Sequence, residues 1–396
     1  MSGITLPEGW EIKCLGEVCE NLDSKRIPIT KAKRNSGNIP YYGASGIVDY
    51  VEDYIFDEEL LLISEDGANL LARTYPIAFS ISGKTWVNNH AHALRFNNRE
   101  SQQFVEYFFN SISLEPYVSG MAQPKLNQKS LNSIPVPLPP LPEQKRIVAI
   151  LDKAFEGINQ AVSNAEKNLT NARELFESYL NNVFTQKGDG WEERPLEDIT
   201  EKITKGSSPK WQGVNYVDQP GILFITSENV GTNKMNYKKM KFVEDVFNKK
   251  DSKSILKKGD VLTNIVGASI GRTSVFDRDD VANINQAVCL IRCDNKLLIN
   301  KYLAYLLNSQ FFKKILHDNE INNARANLSL GFFRSLEIPV PNLNEQKGII
   351  ERIDTLSVET NYLETIYQQK LNNLQELKQS ILQKAFSGEL TADTIQ

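Results

Sequence analysis

The sequence predicts an α+β chain with a pseudo-two-fold internal repeat: two α/β segments separated by a long antiparallel two-helix coiled coil. Three observations predict it. The stretch IPVPLPPLPEQKRI (134–147) returns as IPVPNLNEQKGI (338–349). After each copy, apolar side chains step by four and three residues through a run long enough for a coiled-coil seam. The intervening stretches alternate or cluster β-formers between Gly and Asn turns.

The repeat runs through the whole chain. GWEIKCLGEV (9–18) pairs with GWEERPLEDI (190–199), and NARELFESYLNNVF (171–184) with NLQELKQSILQKAF (373–386). Each half therefore reads as a Gly-Trp-Glu entry, a divergent middle, a Pro-rich strap and a long helix. The expected boundaries are 1–142 and 188–344 for the two α/β domains, 143–187 and 345–390 for the spacer helices, and 391–396 for a tail. Pro142 before Glu143 suits a helix start, because Pro is tolerated in the first turn and an acid there complements the dipole. The predicted seam of the first helix is Ile147, Leu151, Ala154, Ile158, Ala161, Ala165, Leu169, Ala172, Phe176, Tyr179 and Val183. The second follows in step, spoiled only by Thr360 and Lys378, with Leu377 available to cover the latter. A helix of this length rises about 60 Å, more than a small domain covers, so the two stripes are expected to cover each other.

In the middles, YIFDEELLLISEDGANLLAR, KTWVNNHAHALRF, GILFITSENV and VANINQAVCLIRC read as strands and turns. QQFVEYFFNSI and NKYLAYLLNSQFFKKIL each read as a helix. Gly67-Ala68 answers Gly267-Ala268, and NNHAHAL answers INQAVCL, so the two middles share one ancestry.

With 396 residues, 41% apolar and 24% charged, the chain has room for two or three cored domains. No stretch approaches the ~20 apolar residues of a membrane span, and the N-terminus lacks a signal-peptide core, so the expected compartment is the cytoplasm. Cys14, Cys19, Cys289 and Cys293 lie in strand-like runs and read as buried thiols, not zinc ligands. The net charge is −4, yet residues 191–344 hold 22 Lys and Arg against 18 Asp and Glu. Local positive stripes matter more to DNA than the total.

Four motifs tempt an enzymatic reading. AFSISGKT (78–85) resembles a phosphate loop, but a strand-like run follows where a helix N-terminus is needed. NIPYYG (38–43) has Ile39 where an adenine methyltransferase signature has proline, and reads as a turn at Tyr42-Gly43. His90 and His92 share a strand face without a third ligand of suitable spacing, and VGASIG (266–271) reads as a hairpin turn. No metal site and no catalytic residue is assigned.

Together, the Pro-Val-Pro straps into EQK helix starts (Pro135 to Lys145, Pro339 to Lys347), the two variable middles and the terminal SILQKAFSGEL (380–390) resemble the specificity subunit of type I restriction–modification systems. LKKGDVLTNIVGASIGRTSVF and IPYYGASGIVDY are similar to two varieties of that family's target recognition domains. The resemblance implies a non-catalytic DNA-recognition subunit. Each domain would read one half of a bipartite, asymmetric double-stranded site, with half-site centres about one turn (~10 bp) apart. The coiled coil would fix the gap and dock two modification subunits carrying S-adenosylmethionine, with ATP- and Mg-dependent motor-nuclease (restriction) subunits added for cleavage. No cofactor would sit on this chain.

Amide, hydroxyl and cationic side chains in turns nominate the DNA-binding residues. In the first domain these are Lys25, Arg26, Tyr42, Ser45, Arg73, Lys84, Asn88 and His90. In the second they are Lys205, Ser207, Ser208, Lys210, Asn264, Ser269, Arg272 and Asn285. The helix starts Glu143, Gln144, Glu345 and Gln346, with Phe184 and Phe386, are the candidate partner-binding residues. Two other classes compete: a coiled-coil scaffold without a DNA role, and a self-contained adenine methyltransferase, which would need a cofactor loop the sequence does not offer.

Overall fold

The computed structural model describes residues 7–120, 123–218, 221–322 and 326–392. The chain divides into two compact units, Met1–Glu166 with Gln369–Gln396, and Lys167–Gln368.

In the first unit, a four-stranded antiparallel sheet runs in the order Glu20–Asn21, Ala91–Arg95, Leu60–Ser64, Ala78–Ile81. Leu60–Ser64 is buried along its whole length, as its near-continuous apolar run predicts. The helix Arg99–Ser111, capped by Asn98 accepting the Ser101 N–H, lays Phe104, Val105, Phe108 and Phe109 into a core with Leu61, Ile63 and Ala78. A second four-stranded sheet joins Gly46–Val51, Ser36–Gly43, Lys84–Val87 and Phe56–Asp57, and its middle pair is parallel (Tyr42 opposite Val87). The second unit repeats the core sheet in the same order of roles: Thr200–Lys205, Val288–Cys293, Val261–Asn264, Thr273–Val275. Its other sheet is rebuilt around the parallel pair Ile222–Ile225 and Ala282–Ile284.

The repeated sequence ends have a structural reason. In each unit, the Gly-Trp-Glu entry and the Pro-rich strap form one antiparallel ribbon, Glu11–Cys14 with Pro135–Leu138 and Glu192–Pro195 with Glu337–Val340. Proline is tolerated there because a two-stranded ribbon leaves free edges.

Each strap feeds a helix of 45 residues, Leu141–Thr185 and Leu343–Ser387. Their antiparallel pairing is visible inside each unit. In the first, Ile147, Leu151, Phe155 and Ile158 share a core with Leu382 and Ala385. In the second, Arg173 meets Glu364 at 2.9 Å, and Tyr179 lies beside Thr355 and Leu356 around a 380 Å³ recess. The seam departs from expectation at both of its spoilers. Thr360 is 3% exposed, its hydroxyl donating to the Leu356 carbonyl at 2.8 Å. Lys378 lays its stem across the seam and its ammonium 5.0 Å over the Phe155 ring, while Leu377 is exposed.

Three further expectations are corrected. The run 300–318 is two helices, Asn300–Asn308 and Gln310–Asp318, because Ser309 caps the second by accepting the Phe312 N–H. Tyr42 and Gly43 belong to a strand, and the hairpin turns two residues later at Ala44-Ser45. Cys14 is exposed, not buried, while Cys289 and Cys293 are core thiols that burial raises to a pKa of about 12.

Candidate nucleic-acid interface

Both units build the same crown of loops at one end of the core sheet. Asn88 ends a strand of the parallel pair, its N–H donating to the Tyr42 carbonyl (3.0 Å) and its Oδ1 accepting the His90 N–H (2.8 Å). Asn285 does the same, donating to Ile225 (3.0 Å) and accepting from Ala287 (3.1 Å). These are Asx turns, for which asparagine is suited. Next to them, Glu65 N–H donates to the His90 carbonyl (2.8 Å) and Ile265 N–H to the Ala287 carbonyl (2.9 Å). Leu126 and Leu328 then donate to the Glu65 and Ile265 carbonyls at 2.8 and 2.9 Å. Glycine follows in each, with positive φ at Gly67 (+109°) and Gly267 (+76°), where a side chain would be strained. One backbone frame therefore carries two different sets of side chains.

In the first unit, Ser45 and His90 are exposed at this crown, while the exposed Lys84 opens the strand whose other end carries Asn88, and the exposed Lys25 lies in the loop after Glu20–Asn21. Lys84 places its ammonium 4.6 Å over the Tyr54 ring, and His90 Nδ1 lies 2.8 Å from Asp66. Tyr42 is half-buried against Phe79 (6.1 Å between centroids), and burial raises its phenol pKa. Asn88 is 6% exposed and serves the turn itself.

Two nominated arginines have other duties. Arg26 donates to Glu65 (2.7 Å) and to the Ala91 carbonyl (2.6 Å), and its Nε lies 3.2 Å from Asp23. His92, 1% exposed, joins them through Asp23 (2.6 Å) and the Leu126 carbonyl (2.8 Å). Burial pushes the Asp23 carboxyl up, but the His92 hydrogen bond and the charges of His92 and Arg26 outweigh it and leave the pKa below its ordinary value. Asp23, Glu65 and His92 present ligand atoms within 4.8 Å of one another, and His90, the other imidazole of the sequence pair, is not among them but lies exposed beside Asp66. The Arg26 guanidinium already supplies the positive charge between the two carboxylates. Arg73 adopts φ +53° and donates to the Phe109 and Ile112 carbonyls at the end of a helix, where a cation suits the dipole. Burial lowers its pKa. Neither guanidinium is free for a phosphate.

In the second unit, Lys205, Lys210 and Arg272 are exposed. Ser207 donates to Asp251 (2.6 Å), and the half-buried Ser208 accepts the Trp211 N–H through its carbonyl (3.1 Å). Asn264 is fully buried, its Nδ2 donating to the Ser227 carbonyl (2.9 Å) and to Ser269 Oγ (3.2 Å). Asn264 and Asn285 thus shape the crown, and Ser269 buttresses it.

Most of the nominated partner residues are turned inward. Gln144 (4% exposed) accepts the Ser101 hydroxyl at 2.6 Å and donates to the Pro139 carbonyl at 2.7 Å. Gln346 (0% exposed) accepts the Ile299 N–H (2.8 Å) and donates to the Leu297 and Pro341 carbonyls (2.9 and 2.8 Å). Phe184 is core, edge-on to Tyr302, and Phe386 packs edge-on to Phe104 and Phe108. Glu345 accepts the Trp191 indole N–H at 2.6 Å, and Glu143 lies 3.9 Å from Arg146. The repeated Gln is a peg that fixes helix to strap and domain. A signal existed: Gln144 stands three residues before Ile147, on the seam face.

The family model for the type I restriction modification DNA specificity domain matches twice, over residues 7–168 and 188–374. The chain belongs to this family. It is similar to a type I restriction enzyme specificity subunit of Haemophilus influenzae, 30% identical over 372 residues that cover 90% of each chain. It also resembles the MjaVIII specificity subunit of Methanocaldococcus jannaschii, 24% identical over 98% of this chain and 95% of that one. Its fold is that of a chain solved in work on complex assembly and conformational transition of the type I R-M system, with a TM-score of 0.75, 20% identity, and coverage of 98% and 100%. The family's role is DNA recognition within a type I restriction–modification system, and the chain is a non-catalytic specificity subunit. No helix among the described residues is long and apolar enough to cross a membrane.

Proposed function

We propose that each unit reads one half of a bipartite, asymmetric DNA site, and that the paired helices set the gap between the halves. The observation that carries this reading is the duplicated crown: one backbone frame around Asn88 and Asn285, presenting different exposed groups in the two units. In this reading Lys25, Ser45, Lys84 and His90 face the first half-site, and Lys205, Lys210 and Arg272 the second. Ammonium and guanidinium groups hold phosphates and guanine edges, while hydroxyl, imidazole and amide groups serve as donors or acceptors at the bases. Two modification subunits, carrying S-adenosylmethionine, are the proposed partners on the helical frame, joined by motor-nuclease subunits with ATP and Mg, in the cytoplasm of a prokaryote.

The test is an N6-methyladenine map of an unmethylated host expressing this chain with a modification subunit. Two unlike half-motifs separated by a fixed unspecific gap support the reading. A short continuous motif that survives loss of this chain would refute it.

A further inference from the structure

The loop between Thr200–Lys205 and Tyr216–Val217 holds Trp211 with 75% of its surface exposed. The other three tryptophans, Trp10, Trp86 and Trp191, are half-buried. An indole left in water forgoes the largest hydrophobic gain a side chain offers, and it is usually buried at a contact.

The loop is not slack. At Gly206, an added Cβ would lie 1.8 Å from the Ile284 carbonyl oxygen, so the chain leaves its strand pressed against the backbone beside Asn285. Ser207 is tied to the buried Asp251 (2.6 Å), and Gln212 donates to Ser207 Oγ (3.2 Å). Lys250 donates to the Gln212 carbonyl (2.6 Å), and Val214 N–H to the Pro209 carbonyl (2.9 Å). Gly213 reverses the chain at φ +62°, and Val214 anchors the loop in a core with Ile222, Phe224, Val243 and Phe247. Trp211 thus stands out from a pinned single turn, Lys210–Gln212, that starts at the crown. Lys205, Lys210 and Lys249 in and beside the loop are exposed, which suits a polyanion.

An indole has one N–H donor and a wide π face. It cannot make the bidentate hydrogen bonds that read a base edge, but it can slide between base planes while neighbouring ammoniums hold the flanking phosphates. We infer that Trp211 is a wedge that enters one base step of the half-site read by the second unit. That half-site is then selected partly by how easily the step unstacks, at a position where no base-edge bond is made. This inference rests on the DNA-reading role proposed above. In the first unit, the large apolar side chain exposed in the loop after the corresponding edge strand is Ile27 (52%), smaller and without a stacking face.

The test uses the chain assembled with its modification subunit, on a duplex carrying the mapped motif, with 2-aminopurine placed in turn at each position of the second half-site. Apart from the target adenine, which the modification subunit itself takes out of the stack, binding should brighten one position. Trp211→Ala should abolish that signal and weaken binding about ten-fold with the salt dependence unchanged, whereas Trp211→Phe should retain part of both. Lys210→Ala should keep the signal while lowering the salt slope by about one. If no position besides the target adenine brightens in the tightly bound wild type, or if Trp211→Ala matches it in affinity and signal, the wedge is refuted and DNA reading stands. If the wild-type complex has no affinity for the motif duplex, both are refuted.

Discussion

Replacing Gln346 with Ala tests whether the repeated EQK helix starts are internal pegs or a partner surface. Gln346 is wholly enclosed and satisfies three backbone groups: the Ile299 N–H and the Leu297 and Pro341 carbonyls. Truncation leaves all three buried without their amide partner. At about 1 kcal/mol per net hydrogen bond, rising toward 2 where desolvation is not recovered, the cost is about 3–5 kcal/mol. Gln144 satisfies two groups, the Ser101 hydroxyl and the Pro139 carbonyl, so Gln144→Ala should cost about 2–3 kcal/mol by the same reasoning. Lys347→Ala, next to Gln346 but exposed, is the control and should stay within about 0.5 kcal/mol of wild type. The assay is urea unfolding of the full chain followed by far-ultraviolet circular dichroism and tryptophan fluorescence. Both probes are needed because two units need not unfold together. The reasoning is refuted if Gln346→Ala leaves the urea midpoint unchanged and instead weakens association with the modification subunit.

Other substitutions follow from the same geometry. Arg26→Met strips the cation from Asp23 and Glu65 and should destabilise the first unit by about 3–5 kcal/mol in urea unfolding, as for a buried pair deprived of one partner. Because the folded Asp23 carboxyl lies below its ordinary value of 3.8, its contribution is complete above that pH and lost as pH falls through the lower folded value. A melting-temperature series should accordingly drop below about pH 4, and an Asp23→Asn chain should show less of that acid sensitivity. Charge reversal of Lys205, Lys210 and Arg272 should weaken DNA binding and flatten its salt dependence, measured by anisotropy across a salt series, without moving the melting temperature. Gly206→Ala drives a Cβ into the Ile284 carbonyl and should destabilise the second unit while the first is unaffected, as read by hydrogen exchange.

The architecture was legible because it is written in periodicity and repetition. The ribbon that joins entry to strap explains why both recur together, and the seam predicted from Ile147 onward is largely the buried face. Thr360 and Lys378 escaped because both adapt: a hydroxyl satisfied by its own helix and a long stem crossing a ring leave no trace in a hydrophobic pattern. The crown was half legible. NNHAHAL and INQAVCL announced a shared turn, but which side chains face outward depends on pairings that local sequence does not carry. Arg26 finds its partners 39 and 65 residues away, and Arg73 36 residues away, so a basic residue in a polar loop looked free when it was not. Trp211 stands beside the nominated Ser207, Ser208 and Lys210, and only the tie of each neighbour shows that its exposure is built in.

The most direct test of the central claim is a methylation map of a chain in which residues 196–336 are replaced by the corresponding segment of the Haemophilus influenzae relative, compared with the unaltered chain. Two independent readers on one helical frame predict that one half of the methylated motif changes while the other half and the gap stay as they were. Loss of both halves together, or a change in neither, would contradict it.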